Sequence, residues 1–96
     1  ALAHSAHGDW HDHYTSASGM ACCARNQDCQ QRRGRLVSQG DGIVHVEVDG
    51  ALLSIPAKSV HPSEDGAFWV CLTASAPRQG PLHSEDVRCI FLATGG

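Results

Sequence analysis

The chain has 96 residues, enough for one domain and no second core. With the histidines neutral its net charge is −3, and of its seven lysines and arginines only Arg32, Arg33 and Arg35 cluster, which argues against nucleic acid as a partner. No apolar run approaches the ~18 residues that a membrane-spanning helix needs, so no membrane span is expected.

Residues 1–19 are mostly small and polar, with neither a helical nor a strand period. They read as a His-rich N-terminal arm, extended and anchored where the large rings Trp10 and Tyr14 find something to pack on. Ala1-Leu2-Ala3 fits the small-x-small pattern before a signal-peptidase cut, so residues 1–3 are expected to be a signal-peptide remnant. Residues 20–96 then form a single disulfide-stabilised β domain. Met20 to Arg33 tolerates a turn or two of helix, with Gly34 as its stop.

Beyond Gly34 the pattern changes to strands. Leu36-Val37-Ser38 is a short one, followed by a glycine turn at Gln39 to Gly42. Ile43 to Val48 alternates cleanly, placing Val44, Val46 and Val48 on one face. Asp49-Gly50 predicts a tight hairpin into Ala51 to Ile55, which Pro56 ends or confines to an edge. His61 to Gly66 reads as a loop, Phe68 to Leu72 as a strand, and 74–86 as a long loop. Val87 to Leu92 is the last strand, with Gly95-Gly96 as a tail. Short strands with glycine turns predict a mainly β fold, a small antiparallel sheet that is barrel- or sandwich-like, with an irregular, disulfide-stapled N-terminal segment.

Five cysteines in a chain this short point to an oxidising compartment, periplasmic or secreted. Cys22, Cys23 and Cys29 cluster, while Cys71 and Cys89 lie in the strand-like second half. Two bridges and one odd residue allow about fifteen pairings. Bonding Cys22 to its neighbour Cys23 strains the peptide between them, and Cys71 and Cys89 share sheet faces with Trp69 and with Val87 and Phe91. The expectation is that two of Cys22, Cys23 and Cys29 bridge to Cys71 and Cys89.

The order His-x-His-Tyr (His11 to Tyr14), Cys-Cys-x5-Cys (Cys22 to Cys29), Pro-Ser-x-Asp-Gly-x-Phe-x-Val-Cys (Pro62 to Cys71) and Arg-Cys-Ile-Phe-Leu (Arg88 to Leu92) resembles a group of small exported bacterial proteins of unknown function. The resemblance implies export and disulfides and brings no activity with it. The long His-rich lead before His11 departs from the pattern.

Seven histidines are many for this length, and His4, His7, His11 and His13 fall within the first thirteen residues. Imidazoles bind copper and zinc well, and an extended arm would put His11 and His13 on one side to share an ion. A solvated polar arm that binds nothing specific is the plainer alternative. There is no Gly-rich phosphate loop, Gly-x-Ser-x-Gly, His-Glu-x-x-His or EF-hand pattern. The function expected is therefore a non-enzymatic exported binding module for a protein partner or a transition metal. Two alternatives use the odd cysteine: a thiol enzyme or redox protein with His11 or His61 as the neighbour that activates the thiol, and an assembly protein that forms a disulfide-linked dimer rather than a monomer.

Overall fold

A computed structural model describes residues 10–23 and 28–93. Seven strands form two sheets: β1 (Cys29–Gln31), β6 (Trp69–Leu72), β7 (Val87–Leu92) and β5 (Val60–Pro62) make one in the order β1-β6-β7-β5, and β2 (Gly34–Gly40), β3 (Ile43–Val48) and β4 (Ala51–Pro56) make the other in chain order. The fold is thus mainly β and open, two sheets rather than a closed barrel.

The three-stranded sheet follows directly from the sequence. Val44, Val46 and Val48 are buried at 3% exposure or less, and the residues between them are half-buried. Both of its turns are two-residue Asp-Gly turns, at Asp41-Gly42 and Asp49-Gly50, with positive φ at all four positions. Such turns match the twist of the strands they join.

The four-stranded sheet is the central layer. Val70, Leu72 and Ile90 on one face pack against Val44, Val46, Val48, Leu53 and Ile55 of the other sheet. Trp69, Cys71, Cys89 and Phe91 on the opposite face are covered by Trp10, Cys22 and Cys23 of the N-terminal segment. Every residue of β6 is therefore buried, which is why its sequence is an unbroken apolar run rather than an alternating one.

Several expectations are corrected. Met20 to Arg33 holds no helix among its described residues; instead Thr15 bridges Ala21 in an antiparallel contact and Cys29 begins β1. His61 and Pro62, read as loop, lie in β5, which pairs with β7 in parallel, so the sheet is mixed rather than wholly antiparallel. Pro62 is tolerated there because β5 is an edge strand. A bulge between Cys71 and Leu72 puts Leu72 opposite Val87, so Val87 packs into the core between the sheets instead of beside Cys89. The loop at 74–86 ends in a 3-10 turn, Ser84–Asp86. The proposed tail at Gly95-Gly96 and the remnant at 1–3 lie outside the described residues.

Candidate functional site

The outer face of the central sheet concentrates the chain's chemistry. Cys71 lies directly opposite Cys29 in β1 on one side and Cys89 in β7 on the other. Cys29 is bonded to Cys71, and Cys22, whose Cα lies 5.5 Å from that of Cys89, is bonded to Cys89. Two bridges thus lie side by side, one drawing in a strand and the other the hairpin-like segment around Thr15 and Ala21. Cys23 takes part in neither bridge and is buried at 3% exposure.

An aromatic layer surrounds the sulfurs. Trp10 and His11 sit on a 3-10 turn, Trp10–His13, and their rings stack at 3.8 Å. Phe91 meets Trp10 at 4.8 Å, His11 at 5.1 Å, Tyr14 at 5.3 Å and His61 at 5.6 Å between ring centroids. Trp69, 4.4 Å from the His11 ring, donates its indole N–H to Asp65. Asp65 also accepts from Ser63 Oγ and the Ala67 amide, so one carboxylate organises the 63–69 loop and fixes the indole.

A second carboxylate, Asp28, is buried at 1% exposure just before Cys29. It accepts from Arg78 at 3.1 Å and Arg88 at 3.3 Å, and its carbonyl accepts the Leu72 amide. The pair of guanidinium groups balances the buried charge and ties the 74–86 loop to the stapled segment.

His61 projects from β5 into the edge of this layer. Its Nε2 donates to the Thr15 carbonyl at 2.8 Å. A ring nitrogen of His61 and the sulfurs of Cys22 and Cys89 all lie within 4.8 Å of one another. This is a possible Cys/His metal cluster, though in this structure the two sulfurs are bonded to each other. Nearby, Tyr14 donates its hydroxyl to Glu64 at 2.8 Å. That hydrogen bond, aided by burial and by the Glu64 charge, raises the Tyr14 pKa above its ordinary value.

The N-terminal histidines are not brought together. His4 and His7 lie outside the described residues. His11 is fully buried among rings while His13 is exposed. With three residues per turn, a 3-10 helix points residues two apart in different directions, unlike the extended arm expected. Asp28 and Asp65 were missed by sequence reasoning: Asp28 because its partners Arg78 and Arg88 are far along the chain, and Asp65 although its partners Ser63, Ala67 and Trp69 are local, since a short Asp-Gly loop reads as solvated. His61 was singled out only as a possible neighbour of a thiol, and it lies instead beside a bridge.

Comparison with known proteins yields no match, whether to family models, to curated proteins or to solved structures.

Proposed function

We propose that this chain is a non-enzymatic binding module of an oxidising compartment, periplasmic or secreted, that takes an extended segment of a partner polypeptide along β2. The observation that carries this reading is a row of side chains across the three-stranded sheet. Leu53, Val46 and Leu36 are paired neighbours on one face; the first two are 2% and 0% exposed, while Leu36, on the edge strand, is 41% exposed. The next residue, Val37, is 44% exposed, and among the described residues no second strand pairs with β2.

An edge strand offers unpaired backbone N–H and C=O groups, and a partner strand added there would satisfy them while covering Leu36. Extended chain is the one backbone shape that such an edge selects. The opposite edge, β4, is less open, since the Ser54 amide donates to Ser84 Oγ. The two bridges fit this role by fixing a rigid platform, and they are compatible with an oxidising compartment. Burial of Cys23 favours a binding reading over one in which the odd cysteine reacts or joins two chains.

The test is a display screen of ten-residue extended peptides against the oxidised protein, with binders measured again by calorimetry on Leu36→Lys. The expected result is a set of alternating apolar peptides that lose binding to Leu36→Lys while its melting temperature stays unchanged. Equal binding to Leu36→Lys, or self-association through β2 in place of peptide binding, would overturn the proposal.

A further inference from the structure

The Cys22, Cys89 and His61 cluster supports a second site. We propose that reduction of the Cys22–Cys89 bridge converts it into a zinc site, with the two thiolates and the His61 imidazole as ligands and a fourth position open.

The donors are already gathered. All three ligand atoms lie within 4.8 Å of one another, and among the described residues no other such group of three occurs. Tetrahedral zinc with Zn–S near 2.3 Å and Zn–N near 2.0 Å places its sulfurs about 3.8 Å apart and each sulfur about 3.5 Å from the nitrogen. The sulfurs, 2.06 Å apart in the bridge, have to separate by about 1.7 Å, within the reach of side-chain rotation. The hydrogen bond from His61 Nε2 to the Thr15 carbonyl leaves Nδ1 as the lone-pair nitrogen of the neutral ring. A backbone carbonyl holding the second nitrogen is the usual support for a metal-bound histidine. Two thiolates and an imidazole suit zinc by ligand type.

The chemistry balances with a dithiol as reductant. The dithiol closes to its own disulfide and gives up two electrons and two protons; the Cys22–Cys89 S–S bond breaks and both sulfurs leave as thiols. Zinc then displaces the two thiol protons. The metal restores the link between Cys22 and Cys89, so the N-terminal segment stays fastened to β7 in both states. Both sulfurs are fully buried, whereas His61, on the edge strand β5, is half-buried.

The test compares zinc binding before and after reduction with a phosphine, read by competition with a chromophoric chelator and by the visible spectrum of the cobalt-substituted chain. In the reduced state no bridge exists, so serine variants remove ligands without removing a cross-link. One additional zinc per chain is expected on reduction, with a tetrahedral thiolate cobalt spectrum, in the wild type and in Cys29→Ser/Cys71→Ser. The gain is expected to vanish in Cys22→Ser/Cys89→Ser and to weaken at least about tenfold in His61→Ala, which keeps both bridges when oxidised. No gain on reduction, equal affinity in His61→Ala, or a gain that depends on Cys29 and Cys71 instead would overturn the proposal.

Discussion

Cys71 and Cys89 face each other across the β6–β7 pairing, and each is bonded to a different part of the N-terminal third of the chain. The bridges span 67 and 42 residues of sequence. In the chain-entropy model each stabilises by about 4 kcal/mol, comparable to the whole stability of a small domain. Replacing either pair by alanine is expected to lower the unfolding free energy by about that amount, measured by guanidinium denaturation. Because the model depends only weakly on loop length, the two variants should lose similar amounts. A loss below about 1 kcal/mol for either pair would mean that the N-terminal segment is held by its packing alone.

Asp28 is the buried charge on which the 74–86 loop depends. Asp28→Asn leaves the guanidinium groups of Arg78 and Arg88 facing a neutral amide in a site where the carboxylate is 1% exposed. A loss of about 3 kcal/mol is expected, with faster amide exchange in the 74–86 loop. An unchanged melting curve would show that the charge is dispensable.

Gly34 opens β2 against the Phe68 ring. A Cβ at this position would run into the edge of the Phe68 ring at Cε1, and Phe68, at 7% exposure, has little room to yield. Gly34→Ala is therefore expected to cost about 1–3 kcal/mol by overpacking. Recovery in Gly34→Ala/Phe68→Leu, measured as a double-mutant cycle, would identify the ring as the cause.

Tyr14 is the single tyrosine of the chain, so its ionisation can be followed alone by ultraviolet absorbance. The hydrogen bond to Glu64 raises its folded-state pKa above the ordinary 10.0. The folded chain therefore holds this proton more tightly than the unfolded one. The associated stability is fully present below pH 10.0 and is lost as pH rises through the folded-state value. The titration midpoint is expected above 10.0, moving back towards it in Glu64→Gln. A wild-type midpoint at the ordinary value would remove this contact from the account.

What the sequence disclosed follows from how local each signal is. Ile43 to Val48 was legible because one face is buried and one is not, and Asp49-Gly50 because its turn is written in two adjacent residues. β1 and β5 escaped because each has three residues and gains its identity from a distant partner; Val60-His61-Pro62 offers one apolar side chain and a proline. The all-buried β6 was recognised as a strand, yet its second covered face, and with it the three-layer arrangement, required knowing where Trp10 packs. The cluster of His61 with Cys22 and Cys89 joins residues 39 and 28 positions apart in the chain (61 − 22 and 89 − 61), a separation at which no spacing rule operates.

The bridge pattern is the claim on which the layer, the platform and the zinc site all depend, and tryptic mapping of the unreduced protein tests it directly. Cleavage at Arg25 separates Cys22 and Cys23 from Cys29, and cleavage at Arg78 and Arg88 separates Cys71 from Cys89. The structure requires peptide 1–25 linked to 89–96 and peptide 26–32 linked to 59–78, with fragmentation placing the first link on Cys22. Peptide 1–25 linked to 59–78, or 26–32 linked to 89–96, would contradict it.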